Sequence, residues 1–208
     1  LFNTLNCIYG IAAAHQEREI SEIVVSMAKI MRYSLGSEKY TTLHEEMESV
    51  RNYCRIIKTR YHDRVEIFFQ EDETVKNAMI PKMILQPIVE NAVAHGLEQD
   101  NERGSIWVES RRENGALVIC VSNTGLPITP EQERRVNLLL KEYVDSEGND
   151  VISATHNIGM RNVHARLQIL YRKKAGVRFS AREGGGAVVR LAIPDTKPED
   201  IGSGAGSN

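Results

Sequence analysis

From Leu43 to Tyr61 the apolar residues Leu43, Met47, Val50, Cys54, Ile57 and Tyr61 recur at alternating steps of four and three. Only an α-helix turns that spacing into one continuous stripe, and the stripe needs a covering surface. Upstream, Ile20, Val24, Met27 and Met31 repeat the pattern, and Leu1, Leu5 and Ile8 give the first residues an apolar side as well. This reads as two long helices joined near Gly36. A helical hairpin cannot bury both sides of its own seams, so pairing with a second copy in a four-helix bundle is the economical solution, and a homodimer is expected. The alternative is that the hairpin packs on the rest of its own chain, since any apolar surface satisfies a stripe.

The texture changes at Arg64. RVEIFFQ reads as a strand, and a helix is expected from about Lys82 to His95 after Pro81, a residue common at helix starts. Ser105 to Arg112 and Ala116 to Asn123 have strand composition and flank the turn Glu113-Asn114-Gly115. A polar stretch, about 124–157, carries a helical piece near Glu131 to Tyr143 and then DSEGND, which has little to pack with and reads as a mobile lid. A helix from about Gly159 to Tyr171 follows. Two last strands, VRFSARE and AVVRLAI, meet across Gly184, Gly185 and Gly186. The fold class is therefore α+β: a helical hairpin, then a two-layer α/β sandwich whose mixed sheet is covered on one face by helices. The expected division is 1–62 for the hairpin, 63–195 for the sandwich and 196–208 for a flexible tail.

Charge narrows the function. The formal net charge of −2 over 208 residues is spread along the chain, which argues against a nucleic-acid footprint or a polybasic membrane patch. Cys7, Cys54 and Cys120 lie far apart without C-x-x-C spacing, so neither a disulfide framework nor a zinc knuckle is indicated. His44 in LHEEM lacks the second histidine of a zinc protease motif, because Glu48 stands in its place. No apolar run approaches the roughly 20 residues of a membrane helix. The chain starts at Leu1 inside a helix, and the expectation is a fragment of a longer protein, reaching a membrane only through upstream segments.

Three polar interruptions carry the chemistry. Glu90 and Asn91 break the apolar helix PKMILQPIVENAVAHG, and such oxygens suit Mg²⁺ and phosphate. In VSNTGLP an apolar strand ends at Asn123 and turns at Gly125; the amide offers an acceptor to an adenine amino group, and a glycine lets backbone approach a flat ligand. In HNIGMRNVHARL, Gly159 opens a helix whose unpaired amides suit phosphate. Each alone is an ordinary capped helix or strand end.

Together they resemble a family. ILQPIVENAVAHG, VSNTGLP, NIGMRNVHARL and GGGAVVRLAIP look like the N, G1, G2 and final glycine boxes of the Bergerat-type ATP fold shared by histidine kinases, gyrases and related GHKL ATPases. LFNTLN, MRYSL and LHEEMESVRNYCRIIKTRYHDRV resemble the LytS-type branch of sensor histidine kinases. The resemblance implies a cytoplasmic catalytic portion of a bacterial membrane sensor kinase. It would bind ATP with Mg²⁺, pass the γ-phosphate to a histidine and then to an aspartate of a response regulator receiver domain, and act as a homodimer. By the same resemblance Asn91 ligates Mg²⁺, Glu90 and His95 flank that site, Asn123 takes the place of the adenine-reading acid, and Gly125 and Gly159 line the nucleotide. Arg161 and Asn162 stand near the phosphates.

The departures are as specific. Asn123 replaces an aspartate, Pro127 the second G1 glycine and Ala94 a lysine, and Gly159 stands where three glycines are common. An amide keeps the acceptor but loses the charge, so weaker adenine binding is expected. In the family pattern P-H-F-L-F-N the phosphorylated histidine falls two positions before Leu1. Two rivals remain. A GHKL hydrolase would carry a glutamate four residues before Asn91, where Pro87 stands, and proline cannot act as a base. A pseudoenzyme or plain dimerisation module would fit the altered G1 and G2 boxes.

Overall fold

The structure is a computed structural model, and it describes residues 1–97, 103–145 and 158–194. The DSEGND segment beyond Asp145, the residues at 155–157 and the 196–208 tail lie outside the described residues. No helix among the described residues is long and apolar enough to cross a membrane.

Three helices, not two, open the chain. Helix α1 (Phe2–Ala14) and α2 (Arg18–Leu35) are separated at Gln16, whose φ of 59° lies in the left-handed region and reverses the chain. After α2 a three-residue strand β1 (Tyr40–Thr42) leads into α3 (Leu43–Tyr61). Thr42 and Glu45 form a reciprocal capping box at the start of α3, which satisfies two end groups of the helix and fixes its first turn. Strand β2 (Val65–Glu71) and the short β3 (Met79–Pro81) follow, and β3 pairs antiparallel with β1, tying the helical segment to the second one.

The larger sheet runs in the order β2, β4 (Gly104–Glu113), β5 (Ala116–Asn123), β7 (Ala187–Pro194) and β6 (Gly176–Ala181). Only β2 and β4 are parallel, so the sheet is mixed as expected. The hairpin between β4 and β5 closes on Asn114 and Gly115, both at positive φ, the conformation of a two-residue turn matched to strand twist. Helices α4 (Gln86–Leu97), α5 (Pro130–Asp145) and α6 (Ile158–Leu170) lie on one face. Ile88, Val89, Met160, Val163 and Leu167 are buried there with Ile106, Ile119, Val121, Val189 and Leu191 of the sheet.

The seam of α3 has a different cover from the one expected. Leu43, Met47, Val50, Cys54 and Ile57 are buried in the same core as Val65, Ile80, Ile84, Ile88 and Val108. The hairpin's second helix thus packs on its own chain, and exposed apolar side chains ahead of it include Leu1, then Ile8 and Ile11 of α1, and Ile20 and Met27 of α2. Helix α4 also starts later than Lys82, because Pro81 belongs to β3 and Met83, at a φ of 63°, cannot continue a helix.

The outer edge of the sheet is closed by side chains. Alternate amides of β6 meet one acceptor each: Val177 N–H donates to His164 Nδ1 (3.0 Å), Phe179 N–H to Asn137 Oδ1 (3.1 Å) and Ala181 N–H to Glu133 Oε2 (2.9 Å). Asn137 also donates to the Phe179 carbonyl, pairing like a further strand and blocking edge-to-edge association. Burial, helped by the Lys141 charge, holds the His164 imidazole below its ordinary pKa, so the neutral ring is the folded form. A depressed histidine contributes stability that is complete above the unfolded value of about 6.5 and is lost as pH falls below it. Urea midpoints at pH 7.5 and 5.5 should therefore drop more in the parent chain than in His164→Gln, which keeps an acceptor but does not titrate. Equal drops would refute this role.

Candidate nucleotide site

The end of β5 builds the floor of the site. Asn123 is only 4% exposed, and its Nδ2 donates to the Thr124 carbonyl at 2.8 Å. One N–H of the amide is thus engaged by its own chain, which fixes the orientation of the group, and its Oδ1 is the kind of acceptor an adenine amino group requires. Thr124 is itself pinned to β4: its N–H donates to the Ser105 carbonyl (2.9 Å) and its hydroxyl accepts from Ser105 N–H (2.8 Å).

Glycines let the walls close. A Cβ on Gly186, which has a φ of 94°, would stand 1.9 Å from the Asn123 carbonyl oxygen, and one on Gly185 would stand 2.6 Å from that of Gly125. The Gly186 amide donates to the Leu126 carbonyl at 3.1 Å. The turn after β5 therefore lies directly on the backbone leading into β7, an approach no side chain permits. Gly125 is less confined: the His95 carbonyl and Asn123 Nδ2 each lie 3.5 Å from where its Cβ would be, an ordinary contact distance.

Helix α5 supplies the remaining wall. Thr129 and Gln132 cap its start reciprocally, Thr129 N–H donating to Gln132 Oε1 (2.8 Å) and Gln132 N–H to Thr129 Oγ1 (3.2 Å). The result is a cavity of about 310 Å³ bounded by Asn91 and His95 of α4, Asn123, Gly125, Leu126, Pro127 and Ile128 of the turn, Gln132 and Val136 of α5, and Phe179, Gly186 and Ala187. Its size suits a small-molecule ligand, and its apolar side suits a flat ring with polar groups at one end.

Four of the residues singled out in the sequence, Asn91, His95, Asn123 and Gly125, meet in this cavity from separate segments. Glu90 does not join them. One residue along a helix turns about 100°, and Glu90 is exposed, accepting from Gln86 Nε2 (2.9 Å) on the side of α4 whose charge reaches Tyr53 of α3. Gly159 sits where α6 crosses α4, and its Cβ would meet that of Pro87 at 3.0 Å, so the close helix crossing accounts for it. Arg161 is buried in α6 and Asn162 exposed, and neither bounds the described cavity. Leu126, Ile128, Val136 and Phe179 were not singled out, since apolar residues at such places look like ordinary core.

Comparison with known proteins places these observations. Residues 77–197 match the model described as "Histidine kinase-, DNA gyrase B-, and HSP90-like ATPase", and residues 1–65 match that described as "Histidine kinase". The sensor histidine kinase YesM of Bacillus subtilis is 29% identical over 195 residues, covering 93% of this chain and 31% of its own length. The sensor protein kinase HptS of Staphylococcus aureus is 26% identical over 195 residues, covering 93% of this chain and 36% of its own. A crystal structure of the histidine kinase ThkA in complex with the response regulator TrrA has a similar fold, with a TM-score of 0.52 at 19% identity over 88% of this chain and 50% of that one. The chain thus spans about a third of the length of the curated relatives it matches.

Proposed function

The chain belongs to the histidine kinase-, DNA gyrase B- and HSP90-like ATPase family, with a histidine kinase segment ahead of the ATPase segment, and from that premise we propose that it is the ATP-binding, phosphate-donating part of a sensor histidine kinase. The observation that carries this reading is the meeting of Asn91, His95, Asn123 and Gly125 in one cavity. Adenine lies against Leu126, Ile128, Val136 and Phe179 with its amino group on Asn123 Oδ1, and the phosphates extend toward Asn91 and His95. Among the described residues no group of three or more His, Cys, Asp or Glu side chains stands together as a metal site. Asn91 would supply the protein oxygen to a Mg²⁺ ion, whose remaining ligands with nucleotides are usually phosphate and water and whose charge would neutralise the phosphates.

The transfer is in line, from the γ-phosphate to a histidine nitrogen and onward to a receiver-domain aspartate, and the protein contributes positioning and charge neutralisation. Asn91 and Asn123 hold the two ends of the nucleotide. Glu90, on the other side of α4, takes no part in holding phosphate. Pro87, packed on Gly159, stands where a water-activating glutamate would be needed, which favours transfer over hydrolysis. Pairing falls to α1 and α2, while α3, buried in the same core as the sheet, belongs with the part that holds ATP. A second copy covers Ile8 and Ile11 of α1 and Ile20 and Met27 of α2, and the assembly works on the cytoplasmic side of a membrane.

Transfer is the test. A chain extended ahead of Leu1 by residues carrying the P-H-F pattern, incubated with γ-labelled ATP, should gain label that survives alkali and is lost in acid, as phosphohistidine is. Asn91→Ala in that chain should remove most of it. Acid-stable label, or none on a chain that binds ATP, would contradict the reading.

A further inference from the structure

The segment that starts α4 is held by a carboxylate from another helix. Glu46 of α3 is 1% exposed, and its Oε1 accepts from the amides of Ile84 (2.8 Å) and Leu85 (2.9 Å) while its Oε2 accepts from that of Met83 (2.9 Å). The positive φ of Met83 turns these successive amides toward one point, an anion nest at the positive end of the helix that follows. The hydroxyl of Tyr33, near the end of α2, donates to the same Oε2. Four donors thus meet the four lone-pair positions of one carboxylate. Around them Lys82 lies over the Tyr33 ring (4.6 Å), its Nζ donates to the Gly36 carbonyl (3.5 Å), and its own carbonyl accepts from Arg166 of α6 (2.5 Å). Helices α2, α3, α4 and α6 all converge on residues 82–85.

We propose that Glu46 is a positioning residue for the nucleotide site, and that the Tyr33 hydroxyl is the contact through which a displacement of α2 reaches Asn91. The inference rests on the proposed function only for the identity of the ligand. Its geometry is short: Leu85 accepts the first bonds of α4, from Ile88 and Val89, and Asn91 stands on the next turn. Moving the nest moves Asn91. Asn123, on β5 and bonded to Thr124, which Ser105 of β4 braces, is attached to a different element, so a shift of α4 acts on the phosphate end of the cavity and leaves the adenine end in place.

The test uses the 208-residue chain, its Tyr33→Phe variant, which keeps the ring over Lys82 and removes only the hydroxyl, and Glu46→Gln. Two probes are titrated: ADP with Mg²⁺, which reads both ends, and adenosine, which reads the base end alone. Tyr33→Phe should weaken Mg-ADP about five-fold, the lower range of coupling between sites, and leave adenosine unchanged. Glu46→Gln should act in the same direction and more strongly; if it does not fold, Tyr33→Phe still decides. Hydrogen exchange at the amides of residues 88–91 should quicken in Tyr33→Phe while β5 and β7 stay as in the parent. Equal weakening of both probes, or unchanged Mg-ADP affinity, would overturn the proposal. If the unsubstituted chain binds neither probe, the proposed function falls, and exchange at residues 88–91 then judges this inference alone, unchanged rates refuting it.

Discussion

Gly186→Ala should destabilise the chain by about 3 kcal/mol and abolish nucleotide binding, the larger of the effects expected of any single methyl group here. Two costs add. The left-handed backbone at a φ of 94° costs an L-residue roughly 1–2 kcal/mol, and overpacking adds about 1–3 kcal/mol. The new methyl would stand 1.9 Å from the Asn123 carbonyl oxygen, so β5 and β7 have to part where Asn123 and Gly125 form the cavity. Gly184→Ala is the control: its φ is 81°, but nothing lies within 4 Å of the added carbon, so about 1 kcal/mol of backbone strain is all it should show. Urea unfolding of both variants separates the terms. Equal costs would mean that the close approach at Gly186 is not what holds the cavity.

Val50→Asp should unfold the chain, whereas Ile11→Asp should leave it folded and monomeric. Val50 is 0% exposed in the core shared by α3, α4 and the sheet, and an unpaired carboxylate there costs several kcal/mol, a large part of the roughly 5–15 kcal/mol that stabilises a domain. Ile11, 58% exposed on α1, changes stability by little in a single chain. On the proposed α1/α2 interface it places a charge against its counterpart in the second copy. Circular dichroism and light scattering read the two outcomes. A folded, monomeric Val50→Asp would return the seam of α3 to the dimer interface.

That pair marks where the sequence was legible and where it was not. The four-three spacing from Leu43 to Tyr61 identified a helix with one buried stripe, but a stripe reads the same whether a second copy or the chain's own sheet covers it. The hairpin at Asn114-Gly115 is local, and a local rule found it in the residues. The break at Gln16 was not legible, because neither glycine nor proline marks it and the reversal depends on how α1 returns along α2. The pairing of β1 with β3 was equally hidden, each being only three residues long. Glu46 was the largest omission. It looks like one more exposed charge on a polar helix, and only the fold brings it to amides some forty positions away. For the site, polar residues in apolar surroundings pointed to Asn91 and Asn123, while helix rotation set Glu90 apart and a helix crossing explained Gly159.

The most direct measurement is calorimetric titration of ATP, with and without Mg²⁺, into this chain and its Asn91→Ala variant. If the cavity bounded by Asn91, His95, Asn123 and Gly125 holds the nucleotide as proposed, the parent binds ATP at least about tenfold more tightly with Mg²⁺ than without, a difference of about 1.4 kcal/mol. Asn91→Ala erases that difference while still binding adenosine as the parent does. The same ATP affinity with and without Mg²⁺ in both proteins, or no binding by the parent at all, would contradict the account.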